Sequence, residues 1–150
     1  MNPYLRFFAM VLTATGIMYC LMYLNTYQLS HVWFSETRGY MTAIMGATMT
    51  VVMLLFMWGM HKNRSLNFGI IAIAVVVFSL ALWLVRSQRT VDDVSYMKAM
   101  IPHHSIAILT SERAQIGDER VRALADQIIE AQRKEIAEME ALIKALEAGH

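Results

Sequence analysis

The chain has little cysteine, and its first half carries little charge. Cys20 has no second cysteine to pair with, which excludes an intrachain disulfide. The sequence also has no Gly-rich phosphate loop, no Ser/His/Asp order and no dense basic patch. These absences argue against nucleotide binding, triad hydrolysis and nucleic-acid binding.

Charged residues are absent from three apolar runs, at residues 7–24, 41–60 and 66–85. Each run is close to the ~20 residues that a helix needs to cross ~30 Å of hydrocarbon. We therefore predict an all-α membrane protein with a three-helix transmembrane domain at residues 1–88. No small-x-small cleavage site precedes Asn25, so we interpret the first run as a retained anchor rather than a cleaved signal peptide.

Residues 97–104 read Met-Lys-Ala-Met-Ile-Pro-His-His. In a helix, Met97, Met100 and His104 share one face, and only one of His103 and His104 can point fully along it. Thioethers with imidazoles suit copper, especially Cu(I), rather than calcium or magnesium. Alternatively, the methionines are ordinary apolar residues and the histidines face water.

Pro102 lies just before the histidine pair. Inside a helix it would leave the Lys98 carbonyl without its usual partner and kink the chain, which would re-aim the imidazoles. At the first position of a new helix, by contrast, proline is well tolerated. The sequence leaves both interpretations open.

The pattern of residues 92–146 resembles domain-of-unknown-function family 305. The resemblance is carried by Met100-Ile101-Pro102-His103-His104, Ala107-Ile108, Leu124-Ala125-Asp126-Gln127-Ile128-Ile129, Gln132, Glu135-Ile136 and Met139. Some family members are CopM-like copper-binding proteins of the bacterial cell envelope. The resemblance implies a ferritin-like four-helix bundle that handles metal through its His and Met positions. The chain departs from the family at Ser105, where Gln is usual, and in having one His-His segment where many members have two.

Two helices are predicted in residues 89–150, the expected metal-binding domain. Thr90 and Asp93 mark the start of the first, which should run to about Gln115. Gly117 should end it, and Asp118 should cap a second helix that runs to about residue 146.

The second of these helices carries a predicted packing seam at 4-3 spacing. Its members are Val121, Ala125, Ile128, Gln132, Glu135, Met139, Leu142 and Leu146. In one interpretation, Gln132 and Glu135 point inward and support a facing histidine as second-shell groups. In the other, Ile136 takes the inward place and Glu135 is solvated.

A lone helical hairpin buries too little apolar surface to be stable. We therefore expect a homodimer or higher oligomer in which two hairpins complete a four-helix bundle. The small residues Thr42, Gly46 and Thr50 repeat at i+4 on the second span, which favours close approach of a helix partner there.

Methionine recurs every four residues along the second span and ends at a histidine. The series is Met41, Met45, Met49, Met53, Met57 and His61. These side chains form either a Cu(I) path or flexible apolar packing. We favour packing, because three spans leave little room for a sealed polar route.

The function predicted from sequence is a membrane-anchored copper-binding protein for resistance, delivery or storage. Its expected ligands are Met97, Met100, His103, His104 and Met139, supported by Gln132 and Glu135. The alternative is a non-catalytic accessory subunit that docks onto a larger membrane complex. A ferritin-type enzyme is disfavoured because the chain has no Glu-x-x-His pair.

The expected location is a bacterial inner membrane. The basic turn at residues 61–64 favours a cytoplasmic amino terminus and periplasmic carboxyl-terminal helices. Expected partners are membrane lipid and a second copy, with another copper-handling protein as a further candidate, and no nucleic acid.

Overall fold

The computed structural model describes residues 2–149, and all regular structure within them is helical. Five α-helices follow one another along the chain: α1 (Pro3–Leu21), α2 (Glu36–Phe56), α3 (Arg64–Ser87), α4 (Asp93–Arg113) and α5 (Glu119–Ala148). Short 3₁₀ turns at Leu29–His31 and Trp58–Met60 lie in two of the connections. The predicted all-α class is confirmed.

Helices α1, α2 and α3 are each long and apolar enough to cross a membrane, which confirms the prediction of three spans. Their ends differ in detail from the apolar runs. In particular, α2 ends at Phe56, although apolar residues continue to position 60. The apolar run therefore includes a 3₁₀ turn that is not part of the span.

The chain divides into two compact units. The first, here called the membrane unit, comprises residues 2–22 and 37–90. The second, the hairpin unit, comprises residues 23–36 and 91–149. The sequence placed residues 23–36 inside the transmembrane domain, whereas the structure groups this connection with the carboxyl-terminal helices.

The membrane unit has an apolar core to which all three of its helices contribute. Phe7 and Val11 of α1, Leu54 of α2 and Ile70 of α3 are buried together. Gly46 faces α1 so closely that a Cβ there would lie 3.0 Å from Thr15 Oγ1. This part of the small-residue face thus contacts α1 of the same chain, in agreement with the predicted close approach of a helix partner.

The hairpin unit is built around a core between α4 and α5. Five buried side chains form this core: Met97, Ile101, Ile108, Ile136 and Ile143. Tyr27 and Trp33, from the connection before α2, pack against it. The two helices therefore do not rely on each other alone for burial, because a third segment of the same unit covers part of their core.

Side-chain caps fix where the two hairpin helices begin. Asp118 caps α5 as predicted, accepting the backbone N–H of Arg120 at 2.9 Å. The cap of α4 is Asp92 rather than Thr90, and its Oδ1 accepts the Ser95 N–H at 2.7 Å. A carboxylate satisfies the free N–H groups of a first turn and also favours the positive end of the helix dipole.

The face that helix α5 turns to α4 only partly matches the predicted seam, since Ala125 belongs to both and Met139 packs against the core. Its buried residues are Ala125, Ile136 and Ile143, and Glu135 is exposed. Glu135 therefore does not point into a buried core, although it lies beside His104. The β-branched side chain of Ile136 takes the inward place because it needs no polar partner there.

Ser105 holds residues 23–36 onto α4. Its Oγ atom accepts the backbone N–H of Tyr27 at 2.7 Å and lies 2.9 Å from His31 Nδ1. Because the oxygen accepts from Tyr27, its own hydrogen is available to donate to the imidazole. Ser105 and His31 are both buried. Position 105 is one of the departures from the resembled pattern noted in the sequence, and here its side chain has a specific structural role.

Candidate metal centre

Helix α4 runs without a break through Pro102, which is buried inside it. The interpretation that Pro102 opens a new helix is therefore wrong. Since the helix is continuous, Met97, Met100 and His104 lie on one face at the expected spacing. Asp93 lies one turn earlier on the same face, so that the spacings from Asp93 to His104 are four, three and four residues.

This face of α4 and the adjoining face of α5 line one open cavity of about 680 Å³. Met97, Met100 and His104 contribute from α4, and Glu135 and Met139 contribute from α5. Four of the five predicted ligands are thus brought to one place. Glu135, whose carboxylate was expected to support the ligands, lies beside them, although this residue is exposed.

His104 is the imidazole of this cavity. Its Nδ1 lies 3.0 Å from Glu135 Oε2, with the His104 side chain 15% exposed and that of Glu135 50% exposed. The contact lacks hydrogen-bond alignment, and among residues 2–149 the buried Nδ1 atom has no hydrogen-bond partner. Nδ1 would gain a hydrogen bond if the Glu135 carboxylate rotated, and it is otherwise available to bind a ligand.

The pKa of His104 is lowered from its ordinary value, chiefly because burial penalises the charged ring. The Glu135 carboxylate opposes this effect and raises the pKa, while the neighbouring His103 lowers it further. The net direction favours the neutral imidazole. A neutral ring keeps a lone pair, which is the form that binds metals.

His103 and Gln132 lie elsewhere. His103 is exposed and is not among the residues lining the cavity, and its ring centroid is 6.3 Å from that of His104. Gln132 is also outside the lining, but its Nε2 lies 3.5 Å from Glu135 Oε2, to which it donates. The structure thus joins Gln132 to the site only through Glu135.

Three polar cavity residues were missed by the sequence reasoning. Asp93, Tyr96 and Glu138 also line the cavity. The rim therefore carries three carboxylates, those of Asp93, Glu135 and Glu138. Asp93 could have been found, since it stands four residues before Met97 on the same helix face. A carboxylate rim attracts cations toward the cavity.

The donor chemistry of the cavity is soft. Three thioethers, from Met97, Met100 and Met139, accompany the single imidazole. Within residues 2–149, no group of three or more His, Cys, Asp or Glu side chains is arranged to hold a metal ion. The thioethers are the donors that favour Cu(I), because imidazole also binds zinc and carboxylates bind zinc, calcium and magnesium.

The methionine series of the second span does not form one continuous helical row. Met41, Met45, Met49 and Met53 lie on α2, but Met57 and His61 follow its end. Met49, Met53 and Met57 pack against the buried core of the membrane unit, while Met41 is 45% exposed. These contacts agree with the packing interpretation.

The comparison with known proteins gives both a domain and a relative. The family model described as Domain of unknown function (DUF305) matches residues 93–149. Uncharacterized protein L153 of Acanthamoeba polyphaga mimivirus is 33% identical over 106 residues, which cover 69% of this chain and 68% of that protein. The chain belongs to the DUF305 family. No solved structure matches it.

In this DUF305 protein the domain match corresponds to α4 and α5. The similarity to the mimivirus protein is longer than the matched domain and so extends beyond it. Residues 23–36, which complete the hairpin unit, lie outside the domain match. The family boundary and the boundary of the compact unit therefore differ.

Proposed function

We propose that this DUF305 protein is a membrane-anchored copper-binding protein that takes mainly Cu(I), for resistance, delivery or storage. The observation that carries the proposal is the shared cavity of Met97, Met100, Met139 and His104. This set is neutral and soft, which suits a soft monovalent ion. The cavity is open, as exchange of an ion with a partner protein requires.

Each cavity residue has a role in this proposal. The three thioethers and the neutral His104 ring supply the donor atoms. Glu135 lies 3.0 Å from His104 Nδ1, where it would orient the ring, and Gln132 donates to the same carboxylate. His103 is no longer among the proposed ligands, because it is exposed and outside the cavity lining.

Metal titration of the full-length protein, purified without a histidine tag, tests the proposal. We expect Cu(I) to bind and to resist competition by Zn(II), because thioethers are poor zinc ligands. Binding measured against a Cu(I)-specific chromophoric chelator gives the affinity and stoichiometry. Equal preference for Zn(II), or no Cu(I) binding at all, would refute the assigned function.

We also propose that a second copy packs against α5 in the hairpin unit. Beside its buried stripe, α5 carries a second apolar stripe that is exposed, formed by Val121, Leu124, Ile128, Leu142 and Leu146. A four-helix bundle would cover these side chains. Mass measurement in detergent should therefore show a dimer or larger assembly, and Leu124→Glu with Ile128→Glu, at two exposed positions outside the cavity lining, should shift it to monomer. A wild-type monomer would contradict this proposal.

The exposed stripe on α5 also favours a second candidate function, a non-catalytic accessory subunit that docks onto a larger membrane complex. The same Cu(I) titration separates the two functions, because an accessory subunit needs no soft-metal affinity.

Under the copper proposal, the hairpin unit lies on the extracytoplasmic side of the membrane. Two basic residues, Lys62 before α3 and Arg64 at its first position, support a cytoplasmic position for the turn between α2 and α3.

A further inference from the structure

The membrane unit holds a buried imidazole, His61, directly after the 3₁₀ turn Trp58–Met60. It is 2% exposed. Its ring lies edge-on to those of Tyr4 and Phe7, with centroid distances of 4.7 and 5.3 Å. Asn67 Nδ2 donates to the His61 carbonyl oxygen at 2.8 Å. Both the ring and the backbone of His61 are therefore held in place.

The hydrogen-bond pattern fixes which ring nitrogen of His61 carries the hydrogen. Nδ1 lies 3.0 Å from the Met57 carbonyl oxygen, and a carbonyl oxygen only accepts, so Nδ1 donates. In the neutral ring, Nε2 is then a bare acceptor. It is buried and, in the part of the chain that the structure describes, has no hydrogen-bond partner. A buried polar atom of this kind indicates a missing partner.

The charge around His61 narrows the choice of that partner. Residues 2–22 and 37–90, which form the membrane unit, contain no Asp or Glu, and Lys62 and Arg64 flank the histidine in sequence. A divalent cation would thus have no carboxylate in this unit to offset its charge. Burying an uncompensated charge is costly, so a monovalent ion held by neutral donors is favoured over a divalent one.

Neutral sulfur donors belong to the same packed core as a ring that contacts His61. Met53 and Met57 pack against the buried core that includes Phe7, and the Phe7 ring contacts His61. Thioethers combined with an imidazole nitrogen select Cu(I). The end of the methionine series that reaches His61 is therefore the part with ligand chemistry, while Met41 at the other end is half exposed.

We propose that His61 Nε2, together with the thioether of Met53 or Met57, forms a second binding site for a soft monovalent cation, Cu(I) or its redox-stable analogue Ag(I). The site belongs to the membrane unit and shares no residue with the hairpin cavity. It therefore does not depend on the function proposed for that cavity, and it requires no continuous copper path along α2.

Ag(I) titration of the full-length protein in detergent tests the site in a His103→Ala/His104→Ala background, which removes the imidazoles of the hairpin motif. We expect the double variant to retain an Ag(I) ion that is lost when His61→Ala is added, lowering the stoichiometry by about one ion per chain. Met53→Leu with Met57→Leu should weaken this binding by roughly tenfold or more. Met41→Leu is the matched control and should have no effect.

Two outcomes would overturn the second site. One is a double variant that binds no Ag(I), and the other is a stoichiometry unaffected by His61→Ala, in which case Nε2 is served by water alone. If His61→Ala fails to fold, the Met53→Leu/Met57→Leu variant decides, because leucine has a similar volume and preserves packing. Failure of the hairpin site is distinguishable, since wild type and the double variant would then bind equally.

Discussion

Replacing His104 with Ala is expected to weaken Cu(I) binding at the hairpin cavity by about 100-fold or more, since loss of a ligand costs at least as much as loss of a supporting group. His104 is the imidazole in the cavity lining, and its lowered pKa keeps it neutral. His103→Ala should change the affinity by less than about threefold, because an exposed side chain away from the site contributes little. Competition titration against a chromophoric chelator measures both variants.

The pair of histidine variants is well matched, because the two residues are adjacent and chemically identical. Circular dichroism and thermal unfolding establish that each variant is folded before its affinity is compared. If His103→Ala removes binding while His104→Ala preserves it, the exposed histidine is the ligand and the cavity assignment is wrong. Equal small losses would place the metal elsewhere.

Ile143→Ala is expected to lower the free energy of unfolding of the hairpin unit by about 2–5 kcal/mol, because it opens a cavity in a packed core. Ile143 is 1% exposed and packs in the core that contains Ile108 and Ile136. Ile143→Val should cost only about 0.5–1.5 kcal/mol, since it removes one methyl group. Chemical denaturation of detergent-solubilised protein, followed by helical circular dichroism, gives the difference.

Lys144→Ala provides the control on the adjacent exposed position of α5 and should change stability by less than about 0.5 kcal/mol. A graded loss from Val to Ala at position 143, with no loss at position 144, would show that the α4–α5 core holds the unit together. If Ile143→Ala is as stable as wild type, the described packing of α5 on α4 is incorrect.

The spans and the helix starts were largely accessible from the sequence, because their signals are local. Uncharged apolar runs predicted α1, α2 and α3, and Asp118 marked the start of α5. The inward face of α5 was harder to choose, because this helix has two apolar stripes. Ala125, Ile136 and Ile143 are buried, while Val121, Ile128 and Leu142 on the other stripe are exposed. Both stripes repeat at helical spacing, so periodicity alone does not decide which one faces α4.

The candidate site was likewise predicted from the sequence only in part. The spacing of Met97, Met100 and His104 on one helix predicted their common face, and the structure brings Met139 of α5 to them. Which histidine of the pair turns inward depends on how α4 is rotated against α5, and this rotation is a tertiary property. The contacts of Ser105 with Tyr27 and His31 span more than 70 residues of sequence, beyond the reach of local patterns.

The attachment of residues 23–36 to α4 changes what counts as an independent fragment of this protein. A polypeptide cut at the family boundaries, 93–149, would lose Tyr27, which packs against the hairpin core, and His31. Ser105, buried in the intact chain, would then face solvent on a helix whose core is partly uncovered. A soluble version of the metal-binding unit must therefore join two separated stretches of sequence, with 23–36 linked to 91–149 in place of the membrane spans. All five buried core residues lie within 93–149, but the segment that covers part of them does not, so the family domain alone leaves this core partly uncovered.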